Sequence, residues 1–165
     1  MLLLKLHAAF SIALLTAPAR AEGEPPAPKD IVATAVGAKK FTLLVEAVRA
    51  ADLADTLKGT GPFTLFAPTD AAFKALSNTL GEKKYKALMA DKARLNKFVL
   101  GHVVVEKSLV AEDVIKMDSK KLNDFEIRVK GEMIMIGGAK VTKTDIQCKN
   151  GVMHVIDKVL IADEK

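Results

Sequence analysis

The spacing of the hydrophobic residues changes about halfway along this 165-residue chain, and that change restricts the possible folds more than any other feature. Phe41, Leu44, Val45 and Val48 recur at the intervals of one helical face. In the segment 125–130, by contrast, apolar and charged residues alternate, as in a strand with one buried and one solvated face. A helical first half followed by hairpins is typical of an α+β domain with a mostly antiparallel sheet, and we predict that fold class.

The helical half also contains one strand and several helix start signals. The run 63–66 is strand-like, because glycine and proline bound it on both sides. Helices are predicted over 71–76 and around Tyr85 to Met89, and a later one ends near His102. The short polar residues placed to cap helices are Asp30, Thr69 or Asp70, and Asp91.

Glycine-containing turns divide the second half into strands. The segment 133–136 is an unbroken apolar strand, and Val141 belongs to a short strand after it. The dipeptide Asn150-Gly151 is favoured in two-residue hairpin loops. We therefore predict that this dipeptide forms the turn that pairs the segment 146–149 with the segment 152–160.

The N-terminus predicts export. Lys5 precedes an apolar run over 6–15, and the small residues Ala19 and Ala21 offer a signal-peptidase site. The run is shorter than the roughly 20 residues that a membrane span needs. We expect cleavage after Ala21 and release into the periplasm or the medium as a secreted protein. The predicted organisation is a signal peptide over 1–21, a Pro-rich tether over 22–29, one domain over 30–161 and a polar tail over 162–165.

The charge of the chain favours anionic partners. The formal net charge is +5, and it falls to +3 when Lys5 and Arg20 leave with the signal peptide. In an exported protein a mild basic bias favours an anionic polysaccharide or membrane surface over nucleic acid. A solvated helix surface is the simpler interpretation of any single lysine. As a group, six basic residues are candidate contacts to an anionic surface: Lys83, Lys84, Lys86, Lys92, Arg94 and Lys97.

The single cysteine, Cys148, restricts how the domain is stabilised. One cysteine cannot form an intramolecular disulfide, so stability has to come from packing. Two interpretations of the side chain stay open, a buried small hydrophobe or a reactive thiol.

The sequence contains no recognised catalytic or metal-binding motif. His102 lies on an apolar helical face and His154 in an apolar strand, so we interpret each as a neutral core histidine, with a ligand or base as the alternative. Asp157 is a lone acid, which is weak support for acid–base chemistry. Met133 and Met135 line a soft groove or simply pack in a core. We predict a non-enzymatic protein with no cofactor and no metal.

Two segments resemble the signature boxes of the fasciclin (FAS1) domain. The segment 61–73, GPFTLFAPTDAAF, is similar to the N-terminal box, and the segment 150–160, NGVMHVIDKVL, to the C-terminal box. Between them, the segment 100–104, LGHVV, resembles the central Tyr-His motif. The resemblance implies a β-wedge of two mostly antiparallel sheets with helices alongside, in which the two boxes form neighbouring core strands. It also implies a framework of residues that set core hydrogen bonds: Thr69, Asp70, His102, Asn150, Gly151, His154 and Asp157.

The resemblance further implies an extracellular or periplasmic binding protein, since many members act in adhesion and some related proteins carry hydrophobic pigments. Gly101 departs from the family pattern, because the central motif has tyrosine there, so receptor binding linked to that region is not transferred. We expect adhesion to a cell-surface or matrix component. The alternative is a carrier of an apolar small molecule held between the helices and the segment 133–136. A carrier needs an apolar pocket, whereas an adhesin needs only a surface patch.

Overall fold

A computed structural model of the protein describes residues 28–161. The predicted signal peptide, most of the predicted tether and the polar tail lie outside the described residues. Within the described range the helices are α1 (Ile31–Gly37), α2 (Thr42–Ala50), α3 (Ala54–Leu57), α4 (Asp70–Leu80), α5 (Glu82–Ala90), α6 (Lys92–Gly101) and α7 (Ala111–Ile115). The strands are β1 (Phe63–Pro68), β2 (Val103–Val105), β3 (Lys121–Leu122), β4 (Phe125–Lys130), β5 (Met133–Ile136), β6 (Ala139–Cys148) and β7 (Gly151–Ile156).

Short polar side chains start three of these helices. Asp30 accepts a hydrogen bond from the backbone N–H of Ala33, at 2.8 Å, and so caps α1. Asp91 accepts from two backbone N–H groups in the first turn of α6. Of the two candidates before α4, Thr69 is the residue that caps the helix. Such caps satisfy backbone donors that have no partner inside the helix, so the predicted starts of α1 and α6 are confirmed.

The strands form one continuous hydrogen-bonded order, β2-β1-β7-β6-β5-β4-β3. Strands β1 and β7 run parallel, with Phe63 opposite Gly151 and Pro68 opposite Ile156, and every other neighbouring pair is antiparallel. The register of β6 shifts twice, and these irregularities divide the order into two arms that share this strand. The predicted α+β wedge with a mostly antiparallel sheet and helices alongside is confirmed, and its two box segments are neighbouring strands.

The two outer edges of the wedge come close together. Asn123, in the turn between β3 and β4, donates a hydrogen bond to the carbonyl oxygen of Val103 in β2, at 2.7 Å. The same amide lies 3.3 Å from the carbonyl oxygen of Leu100, at the end of α6. The turn therefore fastens one arm of the wedge to the other.

Two apolar cores hold the domain together. The first lies between the helices and one face of β1 and β7, and includes Leu44, Phe73, Leu95 and Met153. The second lies between the arms of the wedge, where residues from both arms meet: Phe66, Ile127, Ile134, Ile136, Ile156 and Leu160. Strands β1 and β7 alternate between the two cores, which explains why β1 is buried along its whole length.

The hairpin before β7 differs from the predicted one. Cys148 pairs with Gly151, so the two-residue loop consists of Lys149 and Asn150, and Gly151 is the first residue of β7. The predicted loop was wrong because contacts outside the hairpin determine where both of its residues lie. Asn150 is buried, and Gly151 passes so close to β1 that an added Cβ would lie 1.9 Å from the carbonyl oxygen of Phe63.

Other boundaries differ as well. Strand β6 continues through Ala139–Cys148 where two separate strands were predicted, because its bulges change the register without ending the pairing. Strand β7 ends at Ile156 rather than at residue 160. Strands β2 and β3 and helix α7 were not predicted. Among the helices of residues 28–161, none has both the length and the apolar character needed to cross a bilayer.

Candidate functional site

Asn150 joins three elements of the domain from a buried position. Its side-chain amide donates hydrogen bonds to the carbonyl oxygens of Leu57 and Gly59, at 2.7 and 2.8 Å. Its side-chain oxygen accepts from the backbone N–H of Ile31, at 2.9 Å, in the first turn of α1. The backbone carbonyl of Asn150 in turn accepts from Phe63 in β1. Every strong hydrogen-bonding group of this side chain is therefore used in holding backbone.

Two aspartates hold backbone in a similar way. Asp70 accepts a hydrogen bond from the backbone N–H of Leu43 in α2, at 2.8 Å, and its own N–H donates to the carbonyl of Lys40. It thus caps a helix other than the one it begins. Asp157 is exposed, and its carboxylate accepts from the backbone N–H of Lys140, at 2.8 Å, at the end of the β6–β7 ladder.

His102 is fully buried beneath the end of α6. Its Nε2 accepts from the backbone N–H of Leu160, at 2.9 Å, so the ring hydrogen is on Nδ1, which donates to the carbonyl oxygen of Phe98 at 2.8 Å. Burial lowers the pKa of His102 to about 4, and its hydrogen bond to Phe98 opposes this only in part. The imidazole is therefore neutral at pH 7.

His154 occupies the middle of β7 and is 1% exposed. Its Nδ1 accepts from the backbone N–H of Asp145, at 3.3 Å, and its Nε2 donates to the carbonyl oxygen of Leu109, at 2.7 Å. Its ring stacks on Phe66, with centroids 5.4 Å apart. Burial lowers the pKa of His154, against the opposing effects of the Leu109 carbonyl and the Asp145 carboxylate. Both ring nitrogens are engaged with backbone, as in His102.

These residues define a polar framework, the buried or backbone-binding side chains that tie helices and strands together. Among the described residues, no group of three or more histidine, cysteine or carboxylate side chains is placed to hold a metal ion. Cys148 is half-buried, and burial raises the pKa of its thiol, which disfavours the reactive thiolate. The polar atoms of the framework position the backbone.

A groove of about 840 Å³ lies at one end of the wedge. Helices α5 and α6 form one side of it, and the β3–β4 turn together with the chain after β7 forms the other. Phe98 lies against it, packed edge-on against Phe73 and beside the ring of His102. Leu100 and Ile161 also line it and are 43% and 45% exposed, so two large apolar side chains meet solvent within one feature. We call this feature the α5–α6 groove.

Gly101 lies in the wall of the α5–α6 groove. An added Cβ there would lie 3.4 Å from Cε2 of Phe125, in ordinary contact with another lining residue. This is the position where the resemblance leads one to expect tyrosine. The absent side chain leaves part of the groove open.

The structure separates the six basic residues that the sequence grouped. Lys84, Arg94 and Lys97 line the α5–α6 groove. Lys86 instead pairs with Glu82 one turn earlier on α5, at 2.6 Å, and Lys92 pairs with Asp52. All six side chains are on exposed residues.

The groove does not lie where the sequence placed a carrier site. Strand β5 does not line it, and Met133 is 40% exposed. Met135 lies beside a separate hollow of about 190 Å³. Sequence reasoning missed the α5–α6 groove, because its lining comes from four separate stretches of chain.

The architecture defines the class of protein: an α+β wedge domain, backed by helices, with its two signature strands side by side inside the sheet. The sequence profile of the Fasciclin domain matches residues 39–162. The chain therefore belongs to the fasciclin domain family.

Individual relatives agree with this assignment. Protein sll1483 of Synechocystis is 38% identical over 135 residues, which cover 79% of this chain and 72% of that protein. The uncharacterized protein sll1735 of the same organism is 36% identical over 134 residues, covering 80% of this chain and 97% of that one. Among solved structures, a FAS1 domain pair from the insect cell adhesion molecule fasciclin I matches with a TM-score of 0.71. It is 18% identical and covers 82% of this chain and 52% of that one, so this likeness concerns the fold.

Proposed function

We propose that this chain is a non-enzymatic binding module that holds an apolar small molecule in the α5–α6 groove. The observation that supports the proposal is the groove itself. Its volume of about 840 Å³ falls in the range of roughly 300–1,000 Å³ that is usual for small-molecule sites. Large apolar side chains left exposed together, here Leu100 and Ile161, are typical of surfaces that bind something.

The walls of the groove are fixed before any ligand arrives. Phe98 is packed between Phe73 and His102, and His102 is bonded to backbone on both sides. The opposite wall is held by Asn123, whose amide bonds to β2. A preformed site avoids the free energy of ordering its own side chains on binding.

A substitution that fills the groove tests this proposal. Gly101→Phe places an aromatic ring among the lining residues, whereas Gly101→Ala adds only a methyl group with room to fit and serves as the control. Native mass spectrometry of protein purified from its own host, with extraction of bound pigment or lipid, is the measurement. We expect a bound apolar compound in the wild type and in Gly101→Ala, and none in Gly101→Phe. Equal loading of all three proteins would place the ligand elsewhere.

A second candidate function is attachment to an anionic surface, as expected from the family resemblance. The exposed basic residues of α5 and α6 support it, since six cations on two consecutive helices favour an anionic surface. Screening is strong beyond about 8–10 Å at physiological salt, so such attachment weakens as salt rises. Retention on an anionic polysaccharide across a salt series measures it. A Lys83/Lys84/Lys86→Glu variant should elute at lower salt than the wild type, and equal elution would reject attachment through this end.

We further propose that the protein is exported, as the N-terminal segment 1–21 suggests.

A further inference from the structure

We infer that the occupant of the α5–α6 groove is a fatty-acid-type amphiphile, a single apolar body that ends in one carboxylate. The inference rests on the proposed function, because it assigns the chemical class of the ligand in the same groove. It is based on how charge is distributed around the apolar lining.

Four charged side chains line the groove, and three of them are basic. Lys84 comes from α5, while Arg94 and Lys97 lie one turn apart on α6. Asp124, in the β3–β4 turn, is the acidic member, so the lining carries a formal excess of two positive charges. Cations therefore flank the apolar floor from two different helices.

Two of the three cations have no acidic partner within the part of the chain that the structure describes. Among residues 28–161, neither Lys84 nor Lys97 forms an ion pair. Arg94 meets Asp91 through its Nε, at 3.5 Å. Its planar guanidinium matches the geometry of a carboxylate.

The groove thus combines an apolar floor with a cationic rim, which is the complement of an anionic amphiphile. Lysine side chains can lie along apolar surface while their ammonium groups stay in water, so Lys84 and Lys97 can contact both parts of one ligand. A neutral apolar ligand would gain nothing from three cations, and a cationic ligand would be repelled by them. The distribution of charge therefore favours a carboxylate head group.

Calorimetric titration with three ligands of equal chain length tests the inference: dodecanoate, dodecanol and dodecylamine. The titrated proteins are the wild type, Lys84→Gln/Lys97→Gln, Lys83→Gln/Lys86→Gln and Gly101→Phe. The two double variants lose the same charge, but only the first alters the groove. Because two exposed ion pairs to the carboxylate are lost, we expect Lys84→Gln/Lys97→Gln to weaken dodecanoate binding about tenfold. Dodecanol binding should be nearly unchanged, and the control should bind both like the wild type.

The outcomes separate this inference from the proposed function. If dodecanol binds as tightly as dodecanoate and Gly101→Phe abolishes both, the groove binds apolar ligands but the carboxylate assignment is wrong. If both double variants weaken dodecanoate equally, the effect comes from net charge and the inference is likewise rejected. If none of the three compounds binds, or if Gly101→Phe binds them all like the wild type, the proposed function of the groove fails first. Selective loss of dodecanoate in Lys84→Gln/Lys97→Gln supports both.

Discussion

Acid should destabilise this domain through one buried side chain, His102. The imidazole is fully buried and neutral, with a pKa of about 4, whereas in the unfolded chain its pKa is near the usual 6.5. As the pH falls, the unfolded state therefore takes up a proton before the folded state does. The stability that this residue contributes is complete above about pH 6.5 and is lost progressively as the pH falls towards 4.

The size of the effect follows from the two pKa values. A tenfold change in a protonation equilibrium is worth about 1.4 kcal/mol, so the whole interval corresponds to about 3 kcal/mol at 25 °C. About 2 kcal/mol of this should already be lost between pH 7 and pH 5. Solvent does not screen the charge of His102, because its side chain is completely buried.

Urea unfolding of wild type and His102→Gln at pH 7, 6 and 5 measures this contribution. Glutamine does not titrate, so the variant should lose about 2 kcal/mol less than the wild type between pH 7 and pH 5, even though it is less stable at pH 7. His154 titrates in both proteins, and its effect cancels in the comparison. An NMR titration of the His102 ring gives an independent value. Parallel stability curves, or a folded-state pKa near 6.5, would refute the reasoning.

Three further predictions concern single positions. Gly151→Ala should destabilise the domain by more than about 3 kcal/mol in thermal melts, because the new methyl group overlaps the Phe63 carbonyl. An unchanged melting temperature would contradict the close approach of β1 and β7. Asn150→Asp should lower the free energy of unfolding by about 3 kcal/mol or more at pH 7, since a buried carboxylate replaces an amide that donates to two carbonyls. Stability measured by urea unfolding should recover in part at acidic pH. N-terminal sequencing of exported protein should begin at Glu22, after Ala21, and a mature chain that keeps the segment 6–15 would rule out release by cleavage.

The features that the sequence predicted are those encoded by neighbouring residues. Asp30 and Asp91 cap the helices that follow them, and β4 shows its alternating pattern directly. Short elements were missed for the same reason. Strand β2 has only three residues and continues the apolar run of α6, while α7 has five residues and no side-chain cap.

The rest of the structure depends on contacts between distant residues. Asp70 was predicted as a possible cap of its own helix, but Thr69 takes that place, and Asp70 instead binds α2, which only the tertiary fold brings near. Likewise, the loop preference of Asn150 was outweighed by its hydrogen bonds to Ile31 in α1, Leu57 in α3 and Gly59 just after α3. The α5–α6 groove arises only when several separate stretches of chain meet.

The place of β7 within the sheet determines when the domain can form. Strand β7, the last strand within residues 28–161, lies between β1 and β6 and not at an edge, so the sheet stays open between them until residue 156 has been synthesised. Until then, β1 has no parallel neighbour, and the face of the sheet on which the helices pack lacks β7. Pairing of such distant segments slows folding, because a long loop has to close before contacts stabilise it. Leu160 and Ile161 line the α5–α6 groove and follow β7, so the groove is complete only after this strand has been made.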